Sequence, residues 1–337
     1  MSQNISYDTS IDSNANTSLV TIDYYLHTCI LPVVIVFGTI GNIANIYIFT
    51  RPVLYRSCSI YFLAGGINGL LLLLFGTTTR WLGHAFNNLD ATEYSLFFCR
   101  FRFYFINVIY DLAPYFIACV TVDRYCSSST NVKIRRLSSR PKLAYLVVLG
   151  VTLVSCLVFL HTPFYYTITD SSCQPMPGVY TRFYSSFAAA YYFLGVVIII
   201  IFGLGTTYNV RMQRRRIQPV MIRTTKVDRK RQRSDGQLLL ILFVHVACYI
   251  CLAMPYHILS IFAAVQPAFL QNSTFLFVQD VTIITLNISQ AIDCYVYIFT
   301  ADLYRKELLL LIKYIYKQQP VQTRRALNKT GSTTDRQ

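Results

Sequence analysis

The chain has 337 residues, of which 54% are hydrophobic and only 13% are charged. A soluble domain typically carries about 25% charged residues, so this composition excludes an ordinary water-soluble protein and indicates an integral membrane protein. The 30 Lys and Arg against 15 Asp and Glu give a net charge of +15. In a soluble protein this charge would suggest nucleic acid binding. Here the distribution of charge between loops explains it better, and no nucleic acid partner is predicted.

Seven apolar stretches follow one another along the chain. Each reaches the roughly 20 residues that a helix needs to cross a bilayer. They cover residues 24–50, 59–79, 96–126, 142–162, 183–210, 237–265 and 275–300. The second is the shortest and contains Gly65, Gly66 and Gly69, so six spans with one re-entrant segment are an alternative. The prediction is an all-α fold, a seven-transmembrane helix bundle over residues 24–300.

The basic residues predict the orientation of the bundle. Of the 30 Lys and Arg, 26 fall in the loops and tail of one side. The four on the other side are Arg80, Arg100, Arg102 and Arg182. Because basic loops stay in the cytoplasm, we expect a multi-pass plasma-membrane protein with its N-terminus outside and its C-terminus inside. The basic loops are also expected to attract anionic membrane lipid.

The two ends of the chain differ in composition from the helical region. Residues 1–23 are polar and are predicted to form a disordered extracellular N-terminus. Glycosylation acceptor sequences begin there at Asn4 and Asn16. Residues 301–337 are predicted to form a short amphipathic helix at the inner interface, followed by a cytoplasmic tail.

Most of the ten cysteines lie inside the apolar stretches, where a free thiol behaves as a small apolar group. Only Cys99 and Cys173 map to the predicted outer face, where disulfides persist. We therefore predict a bridge between them that ties the second outer loop to the third helix. Two free thiols are the alternative.

The sequence Asp123-Arg124-Tyr125 ends the third stretch, with Arg124 placed 25 residues after Cys99. A helix rises about 1.5 Å per residue, so this separation covers roughly 37 Å, about the thickness of a bilayer with its interfaces. Cys99 and Arg124 are therefore predicted to lie at opposite faces of the membrane. Arg124 needs a partner in low-dielectric surroundings, and Asp123 is the candidate. Alternatively, these charges only anchor the helix at the interface.

Short motifs along the chain carry a resemblance to a known family. They are Gly41-Asn42, Cys99, Asp123-Arg124-Tyr125, Cys173, Met254-Pro255-Tyr256 and Asp293-Cys294-Tyr295-Val296-Tyr297. Over residues 24–316 the chain resembles the rhodopsin-like (class A) family of G-protein-coupled receptors. The resemblance implies a non-enzymatic receptor that binds an extracellular ligand and activates a heterotrimeric G protein. It assigns coupling and activation to Asp123, Arg124, Tyr125 and Tyr297.

Several positions depart from the family pattern, so the chain resembles a divergent member. Ala253 stands where the family usually has the sixth-helix tryptophan, and Cys294 replaces the proline of the seventh-helix motif. The family usually places aspartate in the second helix and asparagine in the seventh, whereas this chain has Asn68 and Asp293. We predict that both share a hydrated polar pocket with Asn42, because a carboxylate at this depth needs water, a partner or a cation. The alternative is that Asp293 faces water alone.

The sequence restricts the class of ligand mainly by excluding two classes that related receptors bind. Ile106 stands at the third-helix position where amine receptors carry aspartate, and residues 275–300 lack the lysine that binds retinal in opsins. Neither a small amine nor a retinal cofactor is therefore predicted. The aromatic, mixed-charge outer half suits a short peptide and resembles invertebrate neuropeptide receptors of the FMRFamide type. The candidate ligand contacts are Arg102, Ile106, Tyr256 and Gln279. Asp111 is a candidate either for a ligand's cation or for a bond to a neighbouring tyrosine.

A transporter or channel is the main alternative to a receptor. It would be expected to show inverted repeats, broken helices and several charges at mid-membrane, whereas Asp111 and Asp293 are the only clearly buried acids predicted here. An intramembrane enzyme would need a motif such as Gly-x-Ser-x-Gly or metal-spaced histidines, so neither an enzyme nor a metal site is predicted. Most of the scattered histidines are interpreted as interfacial or packing residues; the five are His27, His84, His161, His245 and His257.

Overall fold

The structure is a computed structural model that describes residues 18–52, 57–86, 91–138, 140–169, 172–217, 226–266, 269 and 272–314. The glycosylation acceptors expected at Asn4 and Asn16 lie outside the described residues, as do most of the expected N-terminal segment and the end of the tail.

The described chain forms a bundle of long apolar helices. They are α1 (Ser18–Phe49), α2 (Ser57–Ala85), α3 (Leu96–Ser127), α4 (Pro141–Val158), α5 (Val179–Ile217), α6 (Lys226–Val265), α7 (Ser273–Ala291 with Asp293–Thr300) and α8 (302–314). Six helices are long and apolar enough to cross a membrane, and the two parts of α7, which meet at 51°, make a seventh when counted as one span. The predicted seven-transmembrane helix bundle is confirmed.

The second span is a continuous helix rather than a re-entrant segment. It runs for 29 residues and contains a π-helical stretch at Leu72–Thr77. The glycines of this helix allow neighbouring helices to pack closely against it. A Cβ on Gly69 would lie 2.9 Å from Oδ1 of Asn42, and a Cβ on Gly38 of α1 would lie 2.6 Å from Leu73. Glycine lets the backbones of α1, α2 and α7 approach, as small residues do in membrane helices.

Helix α3 lies in the middle of the bundle and packs against α2, α4, α5 and α6. It is unbroken from Leu96 to Ser127, so it carries Cys99 and Arg124 near opposite ends of one rod. Strands β1 (Tyr166–Thr169) and β2 (Ser172–Pro175) form an antiparallel hairpin in which Ile168 is paired with Cys173. The predicted Cys99–Cys173 disulfide is present, with the two Cα atoms 5.6 Å apart, and it holds this hairpin against α3.

The predicted eighth helix is present and is held in place by a buried tyrosine. The hydroxyl of Tyr304 donates to Oδ1 of Asn45 on α1 at 2.5 Å and lies 3.2 Å from Sγ of Cys294 on α7. Burial raises the pKa of the Tyr304 hydroxyl, so it keeps its proton and acts as a donor. The leucine pair Leu309 and Leu310 on the same helix is more than half exposed, which leaves an apolar surface for the membrane interface.

Candidate ligand cavity and inner polar cluster

A cavity of about 560 Å³ lies among α3, α5, α6 and α7, beside the disulfide-linked hairpin. Its volume is within the range of about 300–1,000 Å³ that is usual for ligand pockets. Helix α3 contributes three residues to the lining, Asn107, Tyr110 and Asp111. Their i, i+3, i+4 spacing places them on one face of the helix. Strand β2 contributes Gln174 and Pro175, so the hairpin forms part of the wall.

Asp111 is the acidic group of this cavity. Its side chain is only 5% exposed, and within the described residues no hydrogen bond or ion pair reaches it. The bond to a neighbouring tyrosine that the sequence left open is therefore not formed. Tyr110 donates instead to Asn287 at 3.0 Å, and Tyr184 donates to Asn107 at 2.6 Å. A carboxylate at this depth is unfavourable without a partner, so Asp111 offers a site for a cation that enters the cavity.

The four candidate ligand contacts divide between two places. Tyr256 and Gln279 line the cavity. Arg102 and Ile106 do not. Arg102 Nε donates to Thr79 Oγ1 at 2.9 Å, and Ile106 packs 3.7 Å from the position of a Cβ on Gly76. Both side chains therefore face α2. Arg182, which the sequence placed near the outer mouth, lines the cavity together with Asp111.

The C-terminal end of α3 carries a buried ion pair. Nη2 of Arg124 lies 2.7 Å from Oδ2 of Asp123, and the two side chains are 7% and 4% exposed. The other carboxylate oxygen of Asp123 accepts from Oγ of Ser138 at 2.8 Å, a contact that the sequence did not indicate. Tyr125 packs edge-on against Phe202 of α5, with ring centroids 5.3 Å apart. Asp123 therefore holds Arg124 while Ser138 holds Asp123.

His245 of α6 connects the two polar residues of the seventh-helix motif. Its Nδ1 is hydrogen-bonded to the Tyr297 hydroxyl at 3.1 Å, and its Nε2 lies 3.1 Å from Oδ1 of Asp293. All three side chains are buried. His245 is therefore not simply a packing or interfacial residue, the interpretation given to most of the histidines. A histidine inside an apolar membrane span is itself a signal of a polar partner, and it could have been singled out on that ground.

The three residues of the predicted polar pocket lie on neighbouring helices. Nδ2 of Asn42 donates to the carbonyl oxygens of Gly38 at 3.0 Å and Gln290 at 3.1 Å, and Nδ2 of Asn68 donates to that of Ile109 at 2.9 Å. Within the described residues no hydrogen bond or ion pair joins the three to one another. The partner of Asp293 is His245, so Asp293 does not face water alone.

Comparison with known proteins decides the family. The profile of the family described as "7 transmembrane receptor (rhodopsin family)" matches residues 41–297. The chain belongs to the rhodopsin family of seven-transmembrane receptors. The family is a class of non-enzymatic G-protein-coupled receptors, so the transporter, channel and enzyme alternatives fall away.

The bundle of this receptor is also similar to a solved structure. A crystal structure of squid rhodopsin aligns with a TM-score of 0.70, with 16% sequence identity over 87% of this chain and 86% of that chain. At this identity the likeness shows the fold alone. A comparison with curated protein sequences finds no significant match. The divergence is consistent with the unusual residues Ala253 and Cys294.

Proposed function

We propose that this receptor lies in the plasma membrane with its N-terminus outside and converts the binding of a short extracellular peptide into activation of a heterotrimeric G protein. The observation that carries the proposal is the carboxylate of Asp111, which is buried at the wall of a ligand-sized cavity and has no hydrogen-bond or ion-pair partner among the described residues. Thirteen residues further along the same helix, Arg124 lies in its inner ion pair. One rigid element therefore links the ligand site to the coupling site.

The cavity wall supports a peptide with a cationic group. Asp111 accepts a guanidinium or an amine through a charge-assisted hydrogen bond. Arg182, on the same wall, complements a carboxylate or an amide oxygen. The rings of Tyr184 and Tyr256 offer faces and hydroxyls to aromatic side chains. A peptide that carries both a cationic and an aromatic residue would contact all of these groups.

G-protein coupling involves two buried polar groups, the Asp123–Arg124 ion pair and the contacts of His245 with Tyr297 and Asp293. In the arrangement described here Asp123 holds Arg124 and His245 holds Tyr297 and Asp293, so this is the resting arrangement. Peptide binding favours a second arrangement, in which Arg124 leaves Asp123 and contacts the Gα subunit. The loop between α5 and α6 adds positive charge at that surface, with ten Lys and Arg from Arg211 to Arg233.

A peptide screen tests the proposal. Cells expressing the receptor with a promiscuous Gα subunit are exposed to a library of short peptides, half of which carry Arg, Lys or a free amine. We expect the active peptides to come from the cationic half. Active peptides drawn equally from both halves would contradict the assignment of Asp111.

Asp111→Asn is expected to lower the potency of a cationic peptide about 10- to 100-fold, because a hydrogen bond to a charged group contributes about 1.5–3 kcal/mol. The measurement is the concentration giving half-maximal G-protein activation, at equal surface expression. A peptide analogue with citrulline in place of arginine provides the control. It should lose potency on the wild type and lose little more on Asp111→Asn. Independent, additive losses would show that Asp111 does not contact that group.

A further inference from the structure

Two histidines and a carboxylate meet at the outer ends of α1 and α2. Asp23 and His27 are four residues apart on α1 and so share one face of the helix, and His84 comes from α2. One ligand atom of each of the three residues lies within 4.8 Å of the others. Among the described residues no other group of three His, Cys, Asp or Glu side chains converges as closely.

We propose that Asp23, His27 and His84 form an extracellular zinc-binding site. Zinc favours imidazole nitrogen and carboxylate oxygen at about 2.0–2.2 Å in a tetrahedral arrangement, so two ligand atoms on one ion lie about 3.3 Å apart. Nδ1 of His27 and Oδ1 of Asp23 are 3.3 Å apart. The imidazole rings of His27 and His84 are stacked with centroids 4.0 Å apart. Magnesium and calcium prefer all-oxygen sites, which this is not.

The burial of the cluster supports a bound cation. His27 is fully buried, at 0% exposure. Oδ1 of Asp23 is also inaccessible and accepts no hydrogen bond from a described residue. A buried carboxylate oxygen without a donor is unfavourable by about 1–3 kcal/mol or more. An ion between Asp23 and the imidazoles would satisfy that oxygen, and three protein ligands leave a fourth position for water.

Arg80 of α2 competes with zinc for His27. Its Nε donates to Nε2 of His27 at 3.2 Å, which places the ring hydrogen on Nδ1, beside the backbone oxygen of Asp23 at 3.1 Å. Zinc at Nδ1 would move that hydrogen to Nε2 and so remove the acceptor that Arg80 uses. Arg80 also pairs with Asp280 of α7 at 2.5 Å. Zinc binding would therefore change the contacts among α1, α2 and α7 at their outer ends. The zinc ligands and Arg80 are not among the residues that line the peptide cavity.

The only tryptophan of the chain, Trp81, gives a local optical probe, since it lies three residues before His84 on α2. Co²⁺ takes the same kinds of ligand as zinc and quenches nearby fluorescence. The test uses the full-length receptor in lipid nanodiscs. Exposed thiols also bind zinc, so Cys29 and Cys251, both exposed, are replaced by serine in every sample. Co²⁺ is added until quenching is complete, and Zn²⁺ is then added to reverse it.

We expect saturable quenching of Trp81 and its full reversal by Zn²⁺. His84→Gln and the isosteric Asp23→Asn should each weaken Zn²⁺ binding at least about tenfold. Arg80→Gln should strengthen it, because glutamine removes a competing cation and its carbonyl can accept from Nε2 of His27. His161→Gln is the matched control, since His161 is also near the outer face but bonds Tyr180 at 2.8 Å, outside the cluster.

Two results would overturn the site. One is the absence of saturable quenching in a wild-type receptor whose Trp81 emission shows a folded environment. The other is Zn²⁺ affinity in Asp23→Asn and His84→Gln equal to that of His161→Gln. The readout needs neither peptide nor G protein, so it is independent of the function proposed above. Saturable, reversible binding that depends on Asp23 and His84 would replace the sequence prediction that the chain has no metal site.

Discussion

Replacement of His245 by leucine is expected to raise ligand-independent G-protein activation about 10- to 100-fold. His245 links α6 to α7 through the Tyr297 hydroxyl and the Asp293 carboxylate, each at 3.1 Å. The hydrogen bond to the Tyr297 hydroxyl contributes about 0.5–1.5 kcal/mol, the contact with the buried Asp293 carboxylate adds an electrostatic contribution, and leucine can make neither. Because the link belongs to the same arrangement that holds Arg124 on Asp123, its loss shifts the population toward the other arrangement. The measurement is basal nucleotide exchange at equal receptor number.

Two further variants separate this effect from a loss of packing. His245→Gln keeps one polar contact and should give a smaller increase than His245→Leu. Tyr297→Phe removes the other side of the same hydrogen bond, so its effect should not add to that of His245→Leu. Basal exchange that stays at the wild-type rate in His245→Leu would show that the link does not hold the resting arrangement.

Removal of the Cys99–Cys173 disulfide is the second large effect. The double variant Cys99→Ala, Cys173→Ala is expected to lose about 2–5 kcal/mol of stability, as is typical for native disulfides, and to lower Tm by about 5 °C or more. The bridge closes a loop of 74 residues and holds β2, whose Gln174 and Pro175 line the cavity. Peptide affinity should therefore fall with stability. Thermal unfolding in nanodiscs and saturation binding measure the two effects.

The controls for this variant are a thiol outside the bridge and a reductant. Cys156→Ala removes a free cysteine of α4 and should leave Tm within about 1 °C, because it breaks no covalent link. Dithiothreitol should lower the Tm of the wild type toward that of the double variant. An unchanged Tm in the double variant would mean that the hairpin is held by its noncovalent contacts alone.

Much of the fold could be predicted because the bilayer imposes it. A span needs a sufficient apolar length, and this length is visible in the sequence for all of α1 to α7. The rod from Cys99 to Arg124 follows from the helical rise alone. The disulfide could be predicted because only two cysteines map to the outer side. The bend of α7 at Ile292 was not predictable, since Cys294 occupies the position of the usual proline.

The side-chain partners were harder to predict because they depend on how each helix is rotated. Arg102 and Ile106 lie in the N-terminal half of α3 but face α2, whereas Asp111 faces the cavity. The i, i+3, i+4 spacing groups Asn107, Tyr110 and Asp111, but it does not say which neighbour they meet.

A polar side chain in an apolar span signals that it needs a partner, but the sequence does not say which distant residue that partner is. His245 and Asp293 are 48 residues apart in the sequence, and His27 and His84 are also distant. The sequence shows each histidine as isolated, and only the packing of α6 on α7 and of α1 on α2 gives them partners. The Asn68–Asp293 exchange did not indicate that His245 would contact Asp293, and the shared hydrated pocket of Asn42, Asn68 and Asp293 stays a prediction.

In the proposed mechanism, a peptide bound in the cavity acts through α3 on Arg124 at the other end of that helix. Nucleotide exchange by a purified G protein, measured with receptor in nanodiscs and a cationic peptide from the screen, tests it most directly. We expect wild-type receptor to accelerate exchange when peptide is added, and Arg124→Ala to bind the labelled peptide equally well but to accelerate exchange at least about tenfold less. Equal acceleration by Arg124→Ala and wild type would contradict the claim.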